Sequence, residues 1–250
     1  VKPTPCLLIT RFAPHAQILA DKLKNNGYAS IAQPLFKVHA LKDPKMLRSF
    51  INHEYDIVIA VSRNAVKYTH QQLIGSWPEA LYLAVGDATQ KQLNKVTNQL
   101  VLTPLSQFDS EGLLALDALQ SVKSKRILIL RGEGGRDLLA ETLSHRGAKV
   151  EFFQTYKRVK IDLDGDELVN NWQQAAINGA IISSIEILNQ LFTLVSNKHN
   201  SWLSELILYV PSQRVAIQAT KLGAKHVVLL PSLDSDQIVK FFKTNNGSRE

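Results

Sequence analysis

The sequence predicts an α/β protein of two similar doubly wound parallel-sheet domains, one of them assembled from both ends of the chain. Three observations predict it: nearly continuous apolar runs, helix-length amphipathic stretches between them, and an internal repeat whose halves interleave.

The runs fall at 7–10, 30–35, 57–61, 81–85, 100–102, 127–130, 150–153, 180–182, 206–210 and 227–230. Most are rich in Val, Ile and Leu without alternation, as expected of strands buried on both faces. The intervening segments carry spaced leucines. In 137–146, Leu138, Leu139 and Leu143 share a face, and Gly147 is a stop. Strand and helix in alternation imply βαβ units.

The repeat sets the architecture. Shifted by 120 positions, Leu8, Ile9 and Arg11 meet Leu128, Ile129 and Arg131. Leu19, Ala20, Leu23 and Gly27 meet Leu139, Ala140, Leu143 and Gly147, and Phe36-Lys37 meets Tyr156-Lys157. A second unit, 57–114, resembles 179–239: each has a strand ending in a hydroxyl (Ser62, Ser184), then a strand and short turn (Val85-Gly86-Asp87, Val210-Pro211-Ser212). Both close on a proline and an acidic helix start: Pro104 with Asp109-Ser110, then Pro231 with Asp234-Ser235. The order is first, second, first, second. A flavodoxin-like sheet needs both units. Residues 40–156 then form an inserted domain, and 1–36 plus 160–250 the end-built one. The crossings at 37–39 and 157–159 are extended and β-prone, able to pair as a two-stranded hinge, so domain motion is expected. The rival topology is two sequential domains cut near residue 120.

Composition narrows the function. Hydrophobic residues make up 45% of 250 and charged residues 20%, ample for two cores. Only 244–250 reads as a frayed tail. The single cysteine, Cys6, reads as a small core residue with no disulfide or metal partners. No apolar stretch is long enough for a membrane helix, and residues 1–5 do not read as a secretory signal. A soluble, cytoplasmic protein is expected. The net charge of +7 suggests an anionic partner. The basic residues are scattered, with no nucleic-acid motif. His15, His39, His53, His70, His145, His199 and His226 lack ligand spacing and read as surface residues.

Ligands of open parallel sheets bind beyond the carboxyl ends of the strands, where helix N-termini aim free N–H groups. The residues there are Thr10-Arg11, Ser62-Arg63-Asn64, Gly86-Asp87, Arg131-Gly132, Ser183-Ser184 and Pro211-Ser212. The set is rich in hydroxyls, glycine and arginine, and suits anions better than a metal or a nucleophilic triad. Ser62, Ser184 and Ser212 also read as helix N-caps. Arg131-Gly132-Glu133-Gly134-Gly135-Arg136 matches neither the dinucleotide fingerprint nor a P-loop. Its two arginines favour carboxylate or phosphate. Tyr156 reads as packing or as a weak acid facing a cleft.

The segment 131–158, RGEGGRDLLAETLSHRGAKVEFFQTYKR, resembles the uroporphyrinogen-III synthase family. The shared pattern is Arg-Gly, a nearby Arg-Asp, a leucine-rich helix, Gly, a strand and Tyr-x-Arg. Leu8-Ile9-Thr10-Arg11, Asp56-Ile57-Val58 leading to Ser62-Arg63-Asn64-Ala65-Val66, and Ala84-Val85-Gly86 leading to Thr89 support it. Phe12, Ile185 and Pro211-Ser212-Gln213-Arg214 depart from the family pattern. The resemblance implies two flavodoxin-like domains joined by a two-stranded linker. It implies cyclisation of hydroxymethylbilane, a linear octacarboxylate tetrapyrrole, with inversion of ring D through a spiro intermediate, and no metal or cofactor. Partners would be that substrate and the preceding and following pathway enzymes, with no nucleic acid or membrane and a monomeric state. Tyr156 is the implied proton donor. Arg11, Ser62, Arg63, Asn64, Gly86, Thr89, Arg131, Gly132, Arg136, Ser184 and Ser212 are the implied substrate-binding residues. Two other readings are a two-domain binder of a small anion without chemistry and a nucleotide-dependent transferase.

Overall fold

The computed structural model describes residues 4–52 and 54–246. Residues 1–3, which carry most of the segment read for a secretory signal, His53, and the end of the tail from 247 lie outside the described residues. In chain order the elements are β1 (Cys6–Ile9), α1 (His15–Lys24), β2 (Ala29–Ala32), β3 (Phe36–Ala40), α2 (Pro44–Ile51), β4 (Ile57–Ala60), α3 (Arg63–His70) and β5 (Leu81–Ala84). Then come α4 (Asp87–Thr97), β6 (Val101–Leu102), α5 (Ser110–Leu114), β7 (Arg126–Gly132), α6 (Leu138–His145), β8 (Lys149–Lys160), α7 (Gly165–Gln174) and β9 (Gly179–Ile181). The chain finishes with α8 (Ile185–Leu194), α9 (Asn200–Glu205), β10 (Ile207–Val210), α10 (Gln213–Lys221), β11 (His226–Leu229) and α11 (Ser235–Asn246). The last helix runs to Asn246, into the stretch read as frayed from 244.

The chain divides into two compact units, Val1–Lys37 with Val159–Glu250, and Val38–Arg158. The end-built unit carries a parallel sheet in the order β11-β10-β9-β1-β2. In the inserted unit the order is β3-β8-β7-β4-β5-β6, with the last five parallel. Under the sequence repeat, β7 and β8 correspond to β1 and β2, and β4, β5 and β6 to β9, β10 and β11. The five parallel strands of each sheet therefore have one spatial order. The end-built unit follows the flavodoxin-like 2-1-3-4-5 winding; the inserted unit is its circular permutation, with the first pair last in the chain.

The crossing segments are strands. Leu41 N–H donates to Thr155 O at 2.9 Å, and Ile161 N–H donates to Leu35 O at 3.0 Å. Six residues forward on one segment is six back on the other, so β3 and β8 run antiparallel.

Burial explains the continuous apolar runs. Leu8, Ala180, Leu208 and Val210 pack on one face of the end-built sheet, and Leu7, Ile9, Ile181 and Tyr209 on the other. In the inserted sheet Val58, Ala60, Tyr82, Leu128 and Leu130 take one face and Ile57, Ile59, Leu83, Ile127 and Ile129 the other. Alternate residues leave a strand on opposite sides, so helices on both sides demand an apolar residue at every position. His199, read as a surface residue, has a side chain only 13% exposed, with Nε2 3.5 Å from Asp166.

Ser62 and Ser184, the equivalent strand-end hydroxyls, are both N-caps with extended backbone. Ala65 N–H donates to Ser62 Oγ at 3.1 Å, and Ile187 N–H to Ser184 Oγ at 3.3 Å. A close approach fixes the start of α7: a Cβ on Gly165 would sit 1.9 Å from Leu194 O. Something must shift to admit it. Gly165→Ala is expected to destabilise the protein by about 1–3 kcal/mol, read as an earlier urea midpoint. An unchanged midpoint would show that α7 and α8 are not held at this distance.

Candidate functional site

The sheet order changes direction between β7 and β4, and a cavity of about 490 Å³ lies beyond the carboxyl ends of these strands. All its lining residues belong to the inserted unit. This is the switch point at which doubly wound sheets hold ligands.

Tyr156 reaches this cavity through a defect in β8. Arg131 pairs with Gln154, but Gly132 pairs with Tyr156, so Thr155 is an extra residue. Such a bulge reverses the alternation of faces beyond it. Phe153 and Tyr156, three residues apart, accordingly share one core cluster, whereas an unbroken strand would send them to opposite faces. Thr155 Oγ1 turns inward and donates to Ala65 O at 3.4 Å. The Tyr156 ring lies directly on the backbone of Gly132, where a Cβ would stand 2.6 Å from the ring. Glu133 N–H closes the arrangement by donating to Tyr156 O at 2.7 Å.

The phenol of Tyr156 meets Ser62 Oγ at 3.0 Å. Tyr156 is only 6% exposed, and both residues line the cavity. Ser62 is held by its cap bond from Ala65, so strand end, helix start and phenol are locked together. The pair holds two hydroxyl protons. One lies between the two oxygens, and the other remains for a third group.

Arg131, expected to bind an anion, is among the cavity-lining residues, and its guanidinium is held by the loop. Nη1 donates to Asp137 at 2.9 Å, Nη2 to Gly134 O, and Nε to Gly132 O at 3.3 Å. The side chain is 7% exposed and its guanidinium lies 4.5 Å from the Phe152 ring centroid. A buried guanidinium requires such partners, and here the loop supplies them. Gly134 and Gly135 have φ of +74° and +107°, a region other residues rarely enter, and a Cβ on Gly135 would approach the Arg131 guanidinium to 2.9 Å. The glycine-rich loop is thus wrapped around Arg131.

Gly86 and Thr89 are also placed differently from an anion cradle. A Cβ on Gly86 would stand 3.3 Å from Phe108, so the aromatic side chain covers the start of α4, and Thr89 is buried. Arg63 is exposed and Asn64 half-buried at the start of α3, and neither lines the cavity. Arg136 does line it; its side chain is 66% exposed, 3.7 Å from Glu111. The remaining expected residues lie in the end-built unit. Arg11 Nη1 donates to Leu233 O at 2.8 Å, and burial lowers its guanidinium pKa, with nearby Asp234 opposing that shift. Ser184 caps α8, and exposed Ser212 opens α10 without a side-chain cap bond.

Arg158, Glu133, Asp109 and Ser110 also line the cavity; the sequence placed them in the Tyr-x-Arg pattern, the glycine-rich loop and an acidic helix start, but not among the expected binding residues. Arg158 was legible, because two residues beyond Tyr156 on a strand is the same face. Hydrogen bonds, first that from Gly112 N–H, hold the Asp109 carboxyl below the usual range, so it is ionised at neutral pH. Among the described residues no cluster of His, Cys, Asp and Glu is arranged to hold a metal ion, and no helix is long and apolar enough to cross a membrane.

Residues 17–240 match the family model described as Uroporphyrinogen-III synthase HemD. The uroporphyrinogen-III synthase of Salmonella typhimurium (strain LT2) is 35% identical over 241 residues, covering 94% of this chain and 98% of that protein. That of Escherichia coli (strain K12) is 33% identical with the same coverage. The crystal structure of uroporphyrinogen-III synthetase from Helicobacter pylori 26695 has a TM-score of 0.63 at 12% identity, covering 96% of this chain and 99% of that one. A mutant uroporphyrinogen III synthase from the extremely thermophilic bacterium Thermus thermophilus has a TM-score of 0.62 at 13% identity, covering 97% and 99%. At these identities the two structures speak for the fold alone. The family match and the two bacterial relatives, each spanning nearly the whole chain, establish that this chain belongs to the uroporphyrinogen-III synthase family.

Proposed function

We propose that the switch-point cavity of the inserted unit is where this chain carries out its family's reaction. The chain is a hydro-lyase of tetrapyrrole biosynthesis with uroporphyrinogen-III synthase activity. Its substrate is hydroxymethylbilane, and the product is uroporphyrinogen III, with ring D inverted. The single observation that carries the assignment to this cavity is the Ser62–Tyr156 hydroxyl pair, 3.0 Å apart at the switch point.

The reaction loses the hydroxymethyl oxygen as water, leaving an azafulvene cation, and then closes the ring through the substituted carbon of ring D. Departure of hydroxide needs a proton, and the hydroxyl pair supplies it. Charge is matched on both sides. Arg136 and Arg158 face the cavity for the carboxylates, while Asp109 and Glu133 offer negative charge to the developing cation. Arg131 holds the loop carrying Arg136 and so acts by positioning. Arg11, Ser184 and Ser212, at the strand ends of the other unit, are proposed as carboxylate-binding residues of that unit. Placement of ring D is the larger part of the task, because a bound geometry that favours one attacking carbon sets the isomer. Monomeric, cytoplasmic action is part of this reading; one cysteine in 250 residues is what a reducing compartment allows.

The direct test is the isomer composition of uroporphyrinogen formed from hydroxymethylbilane. The expected product is isomer III. Isomer I alone, the uncatalysed outcome, would contradict the reading and favour a binder.

Two variants probe the parts. Tyr156→Phe removes one hydroxyl while keeping the ring on Gly132. Turnover is expected to fall about 10-fold, the scale of one hydrogen bond, with isomer III still formed. Full activity would remove Tyr156 from the chemistry, and a switch to isomer I would assign it to ring-D placement. Arg136→Ala should raise KM several-fold with kcat nearly unchanged, because a carboxylate contact is present in substrate and transition state alike. A kcat loss at constant KM would place Arg136 in the chemical step instead.

A further inference from the structure

Resting on that reading, we infer that Ser62, rather than Tyr156, is the hydroxyl that touches the departing oxygen, and that Tyr156 feeds the proton through it. The inference comes from the proton inventory of the pair and from exposure. Ser62 Oγ accepts Ala65 N–H at 3.1 Å, leaving it one further lone pair and one proton. Tyr156 Oη lies at 3.0 Å and is the better donor of the two, since a phenol is far more acidic than an aliphatic hydroxyl. With the phenol donating, both Ser62 lone pairs are filled and its own hydrogen is the one left over. Tyr156 is packed on Gly132, with Tyr68 as an aromatic neighbour 5.9 Å away, and is 6% exposed, while Ser62 at the strand end is half-buried on the cavity wall. Of the two cavity-lining residues, the more exposed one, Ser62, is thus the one whose hydroxyl holds the free proton.

The step balances within substrate and protein. The Ser62 O–H bond breaks as its proton joins the hydroxymethyl oxygen. The C–O bond breaks, releasing water and leaving the azafulvene cation. The Tyr156 proton passes to Ser62 Oγ, leaving a phenolate beside the cation. Ring closure later frees a proton from the pyrrole system, and that proton restores the phenol. No external acid, oxidant or metal enters.

The inserted unit alone is built this way. Its repeat partner has the same cap, Ser184 on Ile187 N–H, but the residue equivalent to Tyr156 is Phe36, which has no hydroxyl to pass on.

Substitutions at Ser62 separate the relay from the helix cap. Ser62→Asn retains an effective N-cap and removes the hydroxyl; Ser62→Thr retains both. Single-turnover cyclisation of hydroxymethylbilane should fall about 100-fold in Ser62→Asn and Ser62→Ala, a larger loss than in Tyr156→Phe, and should stay within about threefold in Ser62→Thr. Melting temperature separates the cap: it should fall in Ser62→Ala and hold in Ser62→Asn. Rates in mixtures of light and heavy water provide the readout a structural role would not move. They should bow in the wild type, with two protons in flight, and be linear in Tyr156→Phe. Ser62→Asn active within about threefold, or no solvent isotope effect in the wild type, would overturn the relay. These outcomes stand apart from the broader reading, which fails only if the wild-type protein does not give isomer III.

Discussion

The candidate site depends on one contact: the Tyr156 ring lying against the bare backbone of Gly132. Any Cβ there would stand 2.6 Å from the ring. The contact needs two features of the chain at once. Gly132 has no side chain, and the extra residue Thr155 turns Tyr156 to the face it would otherwise avoid. With both in place, the phenol meets Ser62 at the end of the neighbouring strand. The rest of the loop serves this geometry. Arg131, buried beneath it, is satisfied by Asp137 and loop carbonyls, so the segment after Gly132 is tied down from inside. An arginine used this way contributes order where exposure would have made it a ligand.

The two units show what duplication kept and what it changed. Strand order, serine caps and arginines after the first strand are common to both. The Ser62–Tyr156 hydroxyl pair is not: Tyr156 corresponds to Phe36, which packs in an apolar cluster and against Phe12. Arg131 is answered by Asp137, while Arg11 donates to the backbone of Leu233. A common scaffold has thus specialised at a few strand-end positions, as expected when fold and function are carried by different residues.

Much of this was legible in the sequence because strands buried on both faces declare themselves as apolar runs. Ile57–Ala60 and Ile127–Ile129 read as strands for the reason they are strands. The interleaved repeat carried the spatial correspondence of the sheets, since residues 120 apart in the first unit, and slightly further apart in the second, occupy equivalent strands. β3 was read only as an extended crossing, because Phe36–Ala40 lacks an apolar run and takes its order from β8. The site was less legible. Ser62, Arg131, Gly132, Arg136 and Tyr156 do meet around one cavity, but the bulge that brings Tyr156 there leaves no pattern in composition. The inward turn of Arg131 depends on Asp137 lying within reach after the loop has folded, and the cover over Gly86 depends on Phe108, 22 positions away. Spacing along a chain does not report contacts made by loops.

On the proposed reading, the close approach at Gly132 positions the phenol for chemistry. Gly132→Ala tests it most directly, because it adds one methyl group and removes no hydroxyl or charge. The measurement is kcat for conversion of hydroxymethylbilane to uroporphyrinogen III, taken with the far-ultraviolet circular dichroism of the same sample. The expected result is a turnover loss at least as large as that of removing the Tyr156 hydroxyl, about 10-fold or more, in a protein whose secondary structure is intact. Wild-type turnover in a folded Gly132→Ala protein would contradict it.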